Sequence, residues 1–373
     1  MPRPMRADLV QRFDEAERAG MCVTPASTNE ARRLRRAADH GNLVEVAHRV
    51  YARPEYWVTL KQAQRSLHII RTLSAAHPTW VFCGPSAAMV YGLAVSYKLL
   101  YKVHVLTSKK AHSQSKNGIQ RHVLDNCTST VVEGIPVTTL ERTVYDCLRS
   151  TDFKHGLAIA DSALRLGRVT KQELLQFIER QGMRSDGSEQ ALATIRHADA
   201  RAESGGESIA RAIIMEQGFM LPELQHVVRD PVDNSVAFRV DFWWAIEGQP
   251  PIIGELDGHE KYIDPEMTVG RSIVDIMTGE RLRESHISGT GAKVMRFSFA
   301  DVLNTAYFVH LLESFGVPRA SDVGELPTQR PSIPEARFLE TVRNEALRYW
   351  ELYQSAEVLT EPQPRALECL THG

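Results

Sequence analysis

Apolar and polar residues follow two different periods along the chain, and the change from one to the other marks out its elements. RADLVQRFDEAERAG (residues 6–20) is amphipathic at helical spacing and stops at Gly20. STNEARRLRRAADHG (27–41) predicts a second helix, opened by a capping box of Ser27 with Glu30 and closed by Gly41. NLVEVAHRVYARP (42–54) reads as two short strands. LKQAQRSLHIIRTLSAAH (60–77) and PSAAMVYGL (85–93) predict helices, the second ending at Gly92. KVHVLTSKK, IQRHVL and VVEGIPVTT predict strands. Three helical stretches follow, TTLERTVYDCLRS, FKHGLAIADSALRLG and TKQELLQFIERQG, with capping boxes at Thr138/Glu141 and Thr170/Glu173.

From Ser204 the order is a helix (SGGESIARAIIMEQG), three strands (ELQHVVRD, VAFRVDFWWA, PIIGELDG), a helix within 265–286 and the strand AKVMRFSF. The helix ADVLNTAYFVHLLESF comes next. Helix, three strands, helix, strand predicts an α/β core with a mixed sheet. Residues 318–334 read as a linker, and EARFLETVRNEALRYWELYQ (335–354) predicts a closing helix with Phe338, Val342, Leu347 and Tyr349 available for packing. The class is α/β (α+β overall), divided as residues 1–57, 58–202, 203–316 and 317–373.

Composition adds limits. The 373 residues, 43% hydrophobic and 24% charged, suit a soluble protein of two or three domains. A net charge of −2 excludes a wholly basic nucleic-acid binder. The charge is unevenly spread: residues 30–53 carry six arginines against three acids, and residues 332–373 carry seven glutamates against four arginines. Cys22, Cys83, Cys127, Cys147 and Cys369 are scattered without a CxxC, which predicts reduced, mostly buried thiols. No run of about 18 apolar residues occurs and the N-terminus lacks a signal-peptide core, so no membrane partner and a cytoplasmic location are expected. No GxxxxGK[ST] nucleotide-binding loop is present.

The arginines give the front segment a direction. At 100° per residue, Arg32, Arg33, Arg35 and Arg36 cover an arc of roughly 160°, with Ala31, Leu34 and Ala38 opposite. With Arg49 and Arg53 on the strands behind it, this is the outline of a winged helix-turn-helix whose second helix meets DNA phosphates and guanine edges. The alternative is a solvated arginine-rich face. Lys109, Lys110, Lys116 and Arg121 either extend that footprint or form a solvated loop. His104 and His122 lie in strands and read as core or edge histidines rather than ligands.

The acids raise the sharper question. Arg239, Asp241 and Trp243 share one strand face, as do Ile253, Glu255 and Asp257 on the next strand. If the strands are neighbours, Asp241 and Glu255 meet across the pair. Two carboxylates at about 4 Å repel by on the order of 1–4 kcal/mol, which a divalent cation such as Mg²⁺ (or Mn²⁺), a proton or a nearby Lys, His or Arg would relieve. Glu207 is a further acid, and His259 or Lys261, just past the strand, would polarise the attacking water. Plainer readings stand beside these: Glu207 as the capping partner of Ser204, Asp241 paired with Arg239, Asp257 in a turn hydrogen bond, and His259 and Lys261 in solvent.

Residues 204–304 resemble the PD-(D/E)XK nuclease superfamily through GES (Gly206–Ser208), RVDFWW, GELDGHEKY and ERLRE…KVMRFSFADV. The likeness is closest to the small domain akin to the very-short-patch-repair endonuclease, found in many actinobacterial proteins of unassigned function. The resemblance implies that Asp241 and Glu255 are metal ligands, with Glu207 the supporting helix acid. Asp257 stands where the superfamily has the E-x-K lysine, and the subgroup commonly shows E-x-D-G there. Arg281 and Arg296 are phosphate-side candidates. The front of the chain is similar to the antitoxin of AbiE-type abortive-infection systems, through PSAAMVYGL and EGIPVTTLERTVYDC. These resemblances imply a DNA-binding, metal-dependent endonuclease in defence or mobile-element biology. The alternatives are an antitoxin-type regulator with a degenerate nuclease fold, or a scaffold whose acidic tail docks another protein. DNA is the implied partner, and a homodimer is one arrangement the sequence allows.

Overall fold

The computed structural model describes residues 6–107, 118–124, 128–181, 186–257, 273–320, 324, 326 and 327, with backbone alone for 273–280. It is a mixed α/β protein. The predicted tail helix, Lys109, Lys110, Lys116, Cys127, Cys369, His259 and Lys261 lie outside the described residues.

The front unit runs α1 (Ala7–Arg18), α2 (Thr28–Asp39), β1 (Val44–Ala47), β2 (Val50–Ala52) and a single turn, α3 (Pro54–Trp57). Ser27 Oγ accepts the Glu30 N–H as predicted. The Glu30 carboxylate, however, reaches the Ala26 N–H and Arg12 rather than the Ser27 amide. Phe13, Val23, Leu34, Ala38, Leu43 and Tyr51 form a small core. Ala47, Val50 and Ala52 belong instead to the large core of the next unit, so the hairpin packs on both.

The middle unit contains α4 (Gln62–Ala76), α5 (Gly84–Val90), β3 (Val103–Thr107), β4 (Ile119–Val123), β5 (Ser129–Val132) and β6 (Ile135–Thr138). It continues with α6 (Leu140–Leu148), α7 (Phe153–Arg165), α8 (Lys171–Gln181) and α9 (Ser188–Arg196). Three features depart from expectation. VVEGIPVTT is a hairpin rather than one strand, because Glu133 and Gly134 take φ of 49° and 77° and turn the chain. The cap of α6 is Thr139, accepting from Arg142 N–H, one residue beyond Thr138. Helix α9 was not expected: its N-cap is Gly187 in a left-handed conformation, with no side-chain cap to signal it. The backbone of Phe82 bridges both Val105 and Val137, joining the parallel pair β3–β4 to the β5–β6 hairpin.

The third unit follows the predicted order: α10 (Gly205–Glu216), β7 (Glu223–Arg229), β8 (Ala237–Trp244), β9 (Ile252–Asp257), α11 (Ile273–Ser288) and β10 (Lys293–Ser298). Then come α12 (Phe299–Leu303) and α13 (Thr305–Phe315). The sheet order is β10-β9-β8-β7, parallel only between β10 and β9. Ile209, Ile213 and Ile214 of α10 share a core with Phe242, Trp244 and Phe297. Val240, Ile253 and Ile287 of α11 share another. Each such side chain, fully buried, contributes about 1.5–3 kcal/mol. Two glycines make the packing close. A Cβ on Gly254 would lie 3.1 Å from Phe242 Cβ, and one on Gly206 would lie 2.8 Å from Leu256 Cδ2, which lets the start of α10 approach β9. Residues 318–320, read as the start of a linker, are tied down instead: Met220 N–H donates to Pro318 O and Ala320 N–H to Gly218 O.

Helices α7 and α10 hold the second and third units together. Arg211 Nη2 donates to Asp161 Oδ2 at 2.7 Å and Nη1 to His197 O at 2.8 Å, and the Asp199 N–H donates to Asp161 Oδ1 at 2.7 Å. Both charged side chains are buried. No helix among the described residues is long and apolar enough to cross a membrane. Asp161→Ala, which strands Arg211 without its counter-ion, is expected to destabilise the fold by about 3–5 kcal/mol. Asp161→Ala with Arg211→Met should cost less. Urea unfolding followed by tryptophan fluorescence measures both.

Candidate functional site

Strand register assembles the site. Trp243 faces Ile253 and Phe242 faces Gly254, so the next pair along β8 and β9 is Asp241 with Glu255. Glu255 faces Arg296 on β10. On the other side Leu224 faces Phe242 and His226 faces Val240, which sets Gln225 opposite Asp241. A row of Gln225, Asp241, Glu255 and Arg296 thus crosses all four strands, with α10 bringing Glu207 and α11 bringing Arg283 beside it.

The two central acids are held differently. Asp241 Oδ2 accepts the Leu256 N–H at 2.9 Å, so a side chain takes a backbone donor of β9. Glu255 Oε1 accepts from Arg283 Nη2 at 2.9 Å, and the same nitrogen donates to Arg239 O at 2.8 Å. Burial pushes the Glu255 carboxyl up to about 7; Asp241 adds to the rise, while Arg283 and Arg296 oppose it. Burial also raises Glu207, and the charge of Asp241 contributes in the same direction. Asp257 is half exposed, 3.7 Å from Arg296 Nη1, which also lies 3.6 Å from Glu284.

The plainer readings can be placed one by one. Glu207 does cap its helix: its N–H donates to Ser204 Oγ, and its carboxylate accepts from Ser204 Oγ and the Glu203 N–H. Its repulsion with Asp241 goes beyond capping. Arg239 pairs with Glu203 at 2.6 Å rather than with Asp241. Arg281 is exposed. Sequence reasoning missed Arg283, although it sits one turn before Ile287, the residue by which α11 packs on the sheet. It also missed Gln225, whose amide donates to Glu207 Oε2 at 3.1 Å. Nothing in the sequence signals that Gln225 takes φ of 55° inside a strand, a conformation costing about 1–3 kcal/mol for such a residue.

Among the described residues no three His, Cys, Asp or Glu side chains converge on one metal-sized site. The donor set that fits is the pair Asp241 and Glu255, hard oxygen ligands that leave most of an ion's shell to water. A carboxylate raised to about 7 beside another acid gains directly from a cation.

A second surface stands apart from this one. Arg32, Arg33, Arg35 and Arg36 are all exposed on α2, with Leu34 and Ala38 buried behind them. Arg49 is exposed at the hairpin tip with φ of 60°, its N–H donating to Glu45 Oε1 at 2.9 Å. Arg53 is not part of that face: its guanidinium is clamped by Glu17 and Asp14. Arg121 lies over the Trp80 ring at 4.8 Å. His104 Nδ1 and His122 Nε2 are 2.9 Å apart in nearly coplanar rings, and burial drives His104 down to about 3. With the nitrogens aimed at each other the gap holds a proton, since an ion between them would need about 2 Å to each. The pair lines a cavity of about 330 Å³ with Cys83, Asp146 and His155.

Glu255 sets a pH dependence. Its folded pKa near 7 lies above the ordinary 4.5, so the native state binds the extra proton between these values. Wild-type stability should therefore fall relative to Glu255→Gln as pH rises through that window, by up to about 3 kcal/mol, and level off above it. Paired urea titrations across the window measure this; a flat difference would rule it out.

No protein-family model matches the chain. No solved structure matches it either. Two uncharacterized proteins of Mycobacterium tuberculosis, one from strain CDC 1551 / Oshkosh and one from strain ATCC 25618 / H37Rv, do. Each is 29% identical to this chain over 206 residues, 55% of this chain and 71% of the relative.

Proposed function

We propose that the protein is a DNA-binding, metal-dependent endonuclease that hydrolyses phosphodiesters. The observation that carries this is the juxtaposition of Asp241 and Glu255 at facing register positions of β8 and β9, with Glu255 buried and Asp241 half-buried. The element order around it, with β10 returning parallel to β9, supports the resemblance to the PD-(D/E)XK superfamily.

A bound Mg²⁺ or Mn²⁺ would polarise the phosphodiester and acidify a water. Asp241 and Glu255 are the residues to hold it, the first already fixed by the Leu256 N–H. Glu207 adds negative charge behind Asp241. Asp257 occupies the position of the superfamily lysine, and Arg296, 3.7 Å away, supplies positive charge on that side. The exposed arginines of α2, with Arg49, are the surface for DNA, where each phosphate they neutralise releases counter-ions.

One observation favours the second reading, an antitoxin-type regulator with an inactive nuclease fold. Arg283 already pairs with Glu255, so a protein cation meets part of the charge that an ion would otherwise meet.

Calorimetric titration of Mn²⁺ separates the two readings. Binding by the wild-type protein that is abolished in Asp241→Ala, together with Mn²⁺-dependent DNA cleavage abolished in both Asp241→Ala and Glu255→Ala, is expected for the nuclease. Cleavage that persists without metal or in both variants would refute it. Separately, replacing Arg32, Arg33 and Arg36 by Ala should weaken DNA binding and reduce the slope of log K against log salt by about 0.9 for each phosphate left without its arginine. Unchanged binding at low salt would remove α2 from the interface.

A further inference from the structure

Three non-glycine residues among those described have positive φ, and two of them are explained by turns. Arg49 sits at the β1–β2 tip and Glu133 at the β5–β6 tip. Gln225 is the third, and it lies inside the seven-residue strand β7. Glycine or asparagine is the residue expected at such a position, because glycine has no Cβ to clash and the short asparagine side chain tolerates the conformation better than Gln does. Register is unbroken on either side of it, so no inserted residue accounts for the conformation.

What the conformation accomplishes is a hydrogen bond. Gln225 Nε2 donates to Glu207 Oε2 at 3.1 Å. The other described donors to that carboxylate, the Ser204 hydroxyl and the Glu203 N–H, belong to the start of its own helix. Helix capping by itself therefore does not need Gln225. The amide is what ties the helix acid to the sheet, at the strand position facing Asp241. Strain kept inside a regular element where a glycine would relieve it points to a functional demand.

We propose that Gln225 is a positioning residue of the acid site, its left-handed backbone turning the amide onto Glu207 so that this carboxylate is fixed behind Asp241. The inference rests on reading Asp241 and Glu255 as a divalent-cation site. It assigns to Gln225 the part that outer hydrogen-bonding groups play around metal ligands, where their removal costs roughly 10–100-fold in affinity.

The test uses the full-length chain with Mn²⁺ as probe. Gln225→Gly suits the observed φ and removes the side chain with its amide, and relief of the backbone strain should keep its urea midpoint at or above the wild-type value. Its Mn²⁺ affinity should nevertheless fall about tenfold or more. Glu207→Ala, which removes the acceptor, should weaken binding by at least as much, and the double variant should bind no more weakly than Glu207→Ala alone, since both break the same hydrogen bond. Gln225→Asn, which tolerates the conformation and keeps a shorter amide, should recover part of the affinity. An affinity within twofold of wild type in Gln225→Gly overturns the assignment while leaving the cation site standing. A midpoint that falls in step with affinity makes Gln225 merely structural and also overturns it. A wild-type protein that binds no Mn²⁺ overturns the cation reading, and the role of Gln225 with it.

Discussion

Asp241 and Glu255 occupy adjacent positions on neighbouring strands, where like charges would normally destabilise the pairing. Water screens them only in part, because Glu255 is buried while Asp241 is half-buried. The fold answers this repulsion from three directions. Burial keeps the Glu255 carboxyl protonated to a pH of about 7, Arg283 meets its oxygen from α11, and Arg296 stands beside it on β10. Asp241 is relieved by a different means, a backbone N–H taken from β9. Among the contacts described, Asp241 thus accepts from a backbone N–H and Glu255 from a guanidinium.

The placement of the flanking helices follows from the same constraint. Helix α11 must present Arg283 to Glu255, and Ile287 one turn later anchors it against Val240 and Ile253. Helix α10 must bring Glu207 close to β9, and Gly206 permits this because any Cβ would strike Leu256. One turn further along α10, Arg211 enters the buried ion pair with Asp161 on α7. A helix that supports the acids from its first turn therefore locks the middle unit from its second. That coupling leaves little freedom for α10 to move independently, which suits a site requiring fixed carboxylate spacing.

Charge is segregated in the same spirit. The chain as a whole is close to neutral, yet the exposed face of α2 carries four arginines backed by a small core of its own. Arg53, which the sequence places with them, is withdrawn into a clamp with Glu17 and Asp14 and joins the hairpin to α1. One arginine is structural and the others remain available to a polyanion. The distinction arises from what α1 places beside β2, and residue type carries no trace of it.

Local rules were enough for much of this protein. Periodicity and caps determined α1, α2, α4, α10 and the alternation of β8, because these depend on interactions within a few residues. A period of two put Asp241 and Glu255 where they could meet if their strands were neighbours; that β8 and β9 are neighbours in this register is a property of the sheet. Local rules failed where an element has no side-chain signal: α9 begins at a glycine, and the β5–β6 turn relies on a left-handed glutamate. They failed again at the site's supporting residues. Arg281 and Arg283 are equivalent by composition, and only the rotation at which α11 docks on the sheet makes Arg283 the partner of Glu255. Gln225 is further removed still, because its role depends on a backbone conformation and on Glu207, 18 residues earlier on a different element. Sequence determined which residues carry charge and where regular structure begins; tertiary packing decided which charges meet, because burial and register, not residue type, set the distances between them.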